Sequence, residues 1–172
     1  GPWDRAADLD LGDNPRVDQM VFPRPKFDDE ARAADEVALR ATEWAQPAIG
    51  ATSVALLSLL SELNIEAQAV AGHSFGEVTA LHAAGVLSEE DLLRVARKRG
   101  ELMATASKKP GAMSAVSASI EDVEATLVKL SRDDVVVANH NAPNQVVISG
   151  TTEGVEATEA ALGKEGHRSS RL

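Results

Sequence analysis

The stretch Val70-Ala71-Gly72-His73-Ser74-Phe75-Gly76-Glu77 contributes most to the fold prediction. It follows a short apolar run over 67–71, which predicts a buried strand, and it leads into a run over 75–84, which predicts a helix. The pattern Gly-x-Ser-x-Gly, centred on Ser74, therefore falls between a strand and a helix. This is the sequence context of a nucleophile elbow in an α/β protein.

Ser74 is the candidate nucleophile, because a serine on such a turn is held with its Oγ exposed. The backbone N–H of Phe75, at the head of the helix, can donate to a developing oxyanion, and the helix dipole supports that role. The alternative is that Ser74 only caps the helix, which is a common use of serine. The complete strand, turn and helix pattern favours the nucleophile.

Helical patterns lie on both sides of this turn. A short helix is expected from Trp3 to Leu9, and the residues from Asp28 to Glu43 are strong helix formers. Pro47 stands where the first turn of another helix is expected, and apolar residues recur at helical spacing from Ala48 to Leu63. A capping-box-like sequence at Ser88 begins a helix that is expected to reach Ser107.

The pattern changes at Lys108-Lys109-Pro110-Gly111, which we interpret as a linker or hinge. Beyond it the order strand, helix, strand, strand, helix, strand is predicted, with Ser119 as the cap of the first helix. That βαββαβ order is the ferredoxin-like arrangement. The expected fold is α/β, with a first part over 3–110 and a ferredoxin-like second part over 111–172. The predicted elements are Ala112–Ala118, Ile120–Ser131, Asp134–Asn139, Gln145–Ser149, Thr152–Lys164 and His167–Leu172.

Composition excludes several classes of protein. The 172 residues carry 17 basic and 27 acidic side chains, a net charge of −10, so binding to phosphate backbones is disfavoured. The chain has no Cys, which excludes disulfide scaffolds, thiol catalysis and cysteine zinc sites. No apolar run resembles a membrane span or a signal peptide. We expect a cytoplasmic protein without metal, nucleic-acid or membrane partners.

Ser74 requires a general base, since an unassisted hydroxyl is a poor nucleophile at neutral pH. The chain has four histidines. His73 adjoins Ser74 and is expected to point away from it across the turn. Structural roles are favoured for His82, His140 and His167, with His140 the least certain of the three. The base is therefore expected from outside this chain.

Four basic residues, Arg94, Arg97, Lys98 and Arg99, lie on the helix that begins at Ser88. Such a run usually forms a solvated basic face, and we expect this of the first three. A guanidinium beside a serine nucleophile would instead bind a carboxylate with two hydrogen bonds. Spacing along the chain leaves both roles open for Arg99.

Taken together, these motifs resemble the acyltransferase domain of polyketide and fatty acid synthases, the malonyl-CoA:acyl-carrier-protein transacylase family. The stretch Leu39–Leu60 resembles the iterative type I synthases of enediyne and polyunsaturated fatty acid pathways in particular. The matching motifs are Ala45-Gln46-Pro47-Ala48, Gly72-His73-Ser74-Phe75-Gly76-Glu77, Ala83-Ala84-Gly85-Val86-Leu87, Arg99-Gly100-Glu101-Leu102-Met103 and the run from Asn139 to Gly150.

The resemblance implies an α/β-hydrolase-like large subdomain that carries a ferredoxin-like small one. It also implies that Ser74 takes a malonyl-type group from coenzyme A and passes it to the phosphopantetheine arm of an acyl carrier protein, with no bound cofactor. Phe75 would donate to the oxyanion, and Arg99 would bind the malonyl carboxylate. Gln46 would line the site, and His73 would shape the turn.

The family also has a Gly-Gln-Gly loop ahead of the serine and a catalytic His after it, and neither is found in these residues. Gly1-Pro2 resembles the remnant of a cleaved tag. We therefore expect an internal piece of the domain that is inactive alone and needs the remainder as its partner. Two alternatives stay open: a serine hydrolase or thioesterase with the same elbow, and a non-catalytic module that docks a carrier protein.

Overall fold

The computed structural model describes residues 1–11, 16–106 and 111–172. The chain divides into two compact units, Gly1–Ala106 and Ser107–Leu172. Most of the predicted hinge over Lys108–Gly111 lies outside the described residues. The fold is of the α/β class, with several helices and one four-stranded antiparallel sheet.

The regular elements among the described residues of the first unit are all helices. The helices are α1 (Pro2–Asp8), α2 (Val17–Val21), α3 (Asp29–Arg40), α4 (Thr42–Glu62), α5 (Phe75–Ala83) and α6 (Glu89–Ala106). Helix α2 was not expected from the sequence, whereas the other five were. The core is formed by side chains from five of the helices, with Leu92 and Leu93 almost fully buried at its centre.

Helices α4 and α6 make the closest packing of this unit. A Cβ built on Gly100 in α6 would lie 2.3 Å from the carbonyl oxygen of Thr42 in α4, so only glycine fits here. The hydroxyl of Thr42 donates to the Gly100 carbonyl across the same contact, at 3.1 Å. The first turns of α4 therefore lie directly against the part of α6 that carries Arg99.

The predicted start of the core helix at Pro47 is wrong, because α4 begins five residues earlier, at Thr42. A proline inside a helix has no N–H to donate to the carbonyl four residues before it, here that of Glu43. In this structure the guanidinium of Arg97 in α6 donates to the Glu43 carbonyl, at 3.0 Å. The neighbouring helix supplies the hydrogen bond that Pro47 cannot make, and this lets the helix continue through it.

The prediction that Arg97 belongs to a solvated face is also wrong. Arg97 is 7% exposed, its guanidinium lies 4.2 Å from the ring centre of Trp44, and its Nε donates to Glu101 at 3.0 Å. Arg94 and Lys98 do lie on the surface, in contact with Glu90 and Glu101. Arg97 is a structural residue that joins α6 to α4.

We expect Arg97→Ala to lower the free energy of unfolding by about 2 kcal/mol, because it leaves the partly buried Glu43 carbonyl unpaired and removes a cation–π contact. Denaturant unfolding measures this, with Arg94→Ala as the matched exposed control. In a Pro47→Ala background Arg97→Ala should lower the free energy of unfolding by less, since the alanine at position 47 has a backbone N–H that can donate to the Glu43 carbonyl. An equal loss of stability in both backgrounds would contradict this account of Arg97.

The predicted strand over 67–71 does not form. Residues 61–74 are exposed and contain no strand. A strand is held by ladder hydrogen bonds to a neighbouring strand, and the described residues of the first unit contain no other strand to pair with. The apolar run is non-helical, as expected, but its pairing partner is not among these residues.

The second unit has the predicted βαββαβ element order. The elements are β1 (Ala112–Val116), α7 (Ile120–Leu130), β2 (Val135–Ala142), β3 (Gln145–Gly150), α8 (Thr152–Lys164) and β4 (Ser169–Arg171). The sheet order is β2-β3-β1-β4, and all three neighbouring pairs are antiparallel. Apolar residues of α7 and α8, among them Val123 and Leu162, pack with sheet residues such as Ile148. Ser119 caps α7 as predicted, by accepting from the N–H of Asp122 at 3.1 Å.

Helix α4 is long and apolar enough, by length and composition alone, to cross a membrane. A single helix of this kind is weak evidence, since the core helices of globular proteins pass the same test. Its residues over 46–54 include buried ones such as Ala51 and Val54, which pack in the core of the first unit. The helix therefore gives no firm membrane signal.

Candidate active site

The turn from Gly72 to Glu77 has the geometry of a strained elbow. A Cβ on Gly72 would lie 2.0 Å from the carbonyl oxygen of Gly76, so the backbone passes itself too closely for any side chain at 72. Ser74 has φ 56° and ψ −118°, a conformation that costs a non-glycine residue roughly 1–3 kcal/mol. Strain of this kind is typical of a residue held for function.

Hydrogen bonds of the turn and of the first turn of α5 hold this conformation. The N–H of Gly76 donates to the His73 carbonyl at 2.9 Å, and the N–H of Glu77 donates to the Ser74 carbonyl at 3.1 Å. The Glu77 carboxylate accepts from the N–H of Ser74 at 3.2 Å. Ser74 thus occupies the N-cap position of α5 while its hydroxyl remains available to other partners.

The hydroxyl of Ser74 accepts a hydrogen bond from the guanidinium of Arg99. Nη2 of Arg99, on α6, donates to Ser74 Oγ at 3.2 Å, and Nη1 donates to Gln46 Oε1 at 2.7 Å. Gln46, on α4, is 6% exposed, and its Nε2 donates to the Sδ of Met103 at 3.3 Å. The structure therefore brings together Ser74, Arg99 and Gln46, three residues predicted from the sequence.

Phe75 is the first residue of α5, and the N–H groups of a first helical turn have no acceptor within the helix. Its ring is buried in the core, which fixes the position of its backbone beside Ser74. The partial positive charge of the helix N-terminus makes this N–H a better hydrogen-bond donor to a negatively charged oxygen. His73 is exposed on the other side of Ser74 in the chain. The site therefore offers one hydroxyl, one guanidinium and a helix N-terminus.

Two of the other histidines contact backbone carbonyls. His82 Nδ1 lies 2.9 Å from the Leu87 carbonyl, and His167 Nδ1 lies 3.2 Å from the Ser117 carbonyl. His140 lies in β2 of the second unit, not in the loop expected from the sequence, because β2 extends to Ala142. These contacts agree with structural roles for His82 and His167.

Sequence reasoning missed the contact of Met103 with Gln46. The available signal was the spacing of Arg99 and Met103, four residues apart on one helix and therefore on the same face. As for metals, the residues that the structure describes contain no group of three or more His, Asp or Glu side chains that could hold an ion.

A strained Gly-x-Ser-x-Gly turn at a helix N-terminus, in an α/β chain, is typical of proteins that have a nucleophile elbow. The family model described as acyl transferase domain matches residues 26–172. The chain belongs to the acyl transferase domain family.

Three similar proteins illustrate the match. A malonyl CoA-acyl carrier protein transacylase from Synechocystis sp. is 40% identical over 123 residues, which are 72% of this chain and 41% of that protein. A malonyl-transacylase solved in complex with a type II polyketide synthase acyl-carrier protein has a TM-score of 0.81 and 31% identity, over 99% of this chain and 53% of that one. The acyltransferase domain of an iterative polyketide synthase in enediyne biosynthesis has a TM-score of 0.71 and 33% identity, over 77% of this chain and 35% of that one. The chain thus spans about half or less of each relative.

Proposed function

We propose that this chain is part of an acyltransferase that moves a malonyl-type group from coenzyme A to an acyl carrier protein. The contact between Arg99 and Ser74 is the observation that carries the proposal. Nη2 of Arg99 lies 3.2 Å from the hydroxyl oxygen of the strained elbow, and a guanidinium is a group that can bind a carboxylate. Malonyl-CoA transacylases among its relatives support the same substrate and carrier.

Ser74 is the nucleophile in this proposal. Its Oγ attacks the thioester carbonyl, and the oxyanion that forms accepts a hydrogen bond from the N–H of Phe75. The C–S bond then breaks, coenzyme A leaves as the thiol, and the malonyl group remains as an ester on Ser74. The phosphopantetheine thiol of the carrier protein attacks that ester in turn and restores the hydroxyl. Both thiol carriers are substrates, so the reaction needs no bound cofactor.

Arg99 selects the acyl group. A guanidinium binds a carboxylate with two parallel hydrogen bonds, which a neutral acetyl group cannot accept. Gln46 holds one side of the guanidinium, at 2.7 Å, and keeps it at the elbow. A malonyl carboxylate bound to Arg99 would replace its contact with Ser74 and would place the thioester close to the hydroxyl.

We propose that the general base comes from the remainder of the acyltransferase domain, since the relatives are about twice the length of this chain or more. His82 and His167 are engaged with backbone carbonyls. The 172 residues alone are then expected to be catalytically inactive, because loss of one triad member typically lowers the rate by several orders of magnitude.

An exposed apolar surface supports this assignment to a larger domain. Leu56 and Leu59 on α4, and Leu63 and Val70 after it, are each 39–61% exposed. Exposed apolar surfaces of this kind usually lie against another part of a protein. We assign the first unit to part of the α/β-hydrolase-like large subdomain and the second to the ferredoxin-like small subdomain. The cytoplasmic location stays a prediction.

The test is to follow the acyl group in the complete acyltransferase domain. Labelled malonyl-CoA is supplied with and without a carrier protein that bears phosphopantetheine. A transferase is expected to deliver the label to the carrier thiol and to release little free malonate. A thioesterase would release malonate at the same rate with or without the carrier. A docking module would bind the carrier and transfer nothing.

A further inference from the structure

We infer that Met103 is a positioning residue for Arg99 and acts through the amide of Gln46. This inference deepens the proposed function and rests on it. It starts from the contacts of one side chain, that of Gln46, which is 6% exposed and lies between Arg99 and Met103. Both of these partners come from α6, four residues apart and on the same face.

The orientation of the Gln46 amide follows from the chemistry of its neighbours. A guanidinium has donors only, so the amide atom that faces Arg99 must be the oxygen. The NH2 group must then face the opposite way, towards the Sδ of Met103 at 3.3 Å. A thioether is a weak acceptor, but it gives this buried N–H a partner. Met103 therefore favours the amide orientation that holds Arg99.

Without the thioether the amide N–H would be left without this partner. A buried donor that loses its acceptor tends to move towards another one, because leaving it unpaired is costly. Any such rotation of the amide moves Oε1 away from Nη1 of Arg99. The Arg99 guanidinium would then keep its hydrogen bond to Ser74 but lose the one to Gln46. Its two parallel N–H donors would be less well oriented to bind a carboxylate.

The approach of the two helices fixes this arrangement. Gly100 lies between Arg99 and Met103 in sequence, and its lack of a Cβ lets the Thr42 carbonyl come close. Gln46 follows Thr42 by one helical turn, so the same close approach brings its amide to α6. The motif Arg99-Gly100-Glu101-Leu102-Met103 thus combines a carboxylate binder, a helix contact and the residue that positions the binder.

The experiment uses the complete acyltransferase domain and compares malonyl-CoA with acetyl-CoA. Met103→Leu keeps the volume but removes the acceptor. It is expected to raise the KM for malonyl-CoA about 3- to 10-fold, the range for loss of one modest hydrogen bond. The kcat and the KM for acetyl-CoA should stay unchanged. Met113→Leu, on β1 in the second unit, is the matched control and should change none of these values.

A double-mutant cycle separates positioning from a general structural effect. Gln46→Glu keeps an oxygen for Arg99 but has no N–H to donate to Met103. In that background Met103→Leu should have no further effect on the KM for malonyl-CoA. Fully additive effects, equal losses for both acyl-CoAs, or a change below twofold would each overturn the inference.

A second readout keeps this inference separate from the proposed function. NMR signals of the Arg99 guanidinium report how firmly it is held, without any turnover. Met103→Leu is expected to speed rotation about its Nε–Cζ bond, and unchanged signals would overturn the positioning role. If the wild-type domain takes no malonyl group while Met103→Leu still loosens Arg99, the proposed function fails and the positioning role stands.

Discussion

Replacing Arg99 with alanine in the complete domain is expected to lower kcat/KM for malonyl-CoA about 10²- to 10⁴-fold. Two charge-assisted hydrogen bonds to the substrate carboxylate would be lost, each worth about 1.5–3 kcal/mol, and each 1.4 kcal/mol is a factor of ten. The acetyl group of acetyl-CoA has no carboxylate, so kcat/KM for acetyl-CoA should stay the same or rise. Steady-state transfer to the carrier protein measures both substrates under the same conditions.

Two variants control for charge and for folding in this experiment. Arg99→Lys keeps the positive charge but loses the two-pronged geometry, so it should recover part of the malonyl activity. Arg94→Ala removes an exposed cation from the same helix and should leave both substrates unaffected. An equal loss for malonyl-CoA and acetyl-CoA in Arg99→Ala would contradict the carboxylate-binding role.

Gly72→Ala is expected to break the elbow. The added Cβ would lie 2.0 Å from the Gly76 carbonyl oxygen, and only a shift of the backbone can relieve an overlap of a Cβ with a backbone atom. We expect the free energy of unfolding to fall by about 3 kcal/mol, at the upper end of the usual cost of overpacking. The backbone movement that relieves this overlap would displace Ser74, so the complete domain should also lose the acyl group that it would otherwise carry on Ser74.

Gly76→Ala is the matched control within the same motif. A Cβ on Gly76 would have no described atom within 4 Å apart from its chain neighbours and the backbone of its own helix, and alanine is the better helix former at this position in α5. Its free energy of unfolding in this chain should stay the same or rise slightly. Denaturant unfolding of the two variants side by side measures the difference. Equal stability would show that the close passage at Gly72 is not what shapes the turn.

Much of the fold could be predicted because its signals are local. Ser119 as a cap and the apolar spacing of α4 each depend on a few neighbouring residues. The strand over 67–71 could not be predicted in the same way, because a strand depends on a partner that is distant in sequence. The continuation of α4 through Pro47 likewise depends on Arg97, which is distant from it in the chain.

The candidate site divides in the same way. Ser74 and its turn could be predicted because Gly-x-Ser-x-Gly is a contiguous motif. The different roles of Arg97 and Arg99 could not, since both are arginines of one helix and their roles depend on which residues distant in sequence lie beside each of them. Arg97 stacks on Trp44 and donates to the Glu43 carbonyl, whereas Arg99 donates to the side-chain oxygen of Gln46. The resemblance to acyltransferases supplied the expectation for Arg99 that spacing alone left open.

The most direct test of the central claim is to locate the acyl group after the complete domain is incubated with malonyl-CoA. Mass spectrometry of the digested protein is expected to find one malonyl group on the peptide that contains Ser74. Ser74→Ala should carry none. A malonyl group on another residue, or a domain that transfers malonyl to its carrier with Ser74 replaced, would contradict the account.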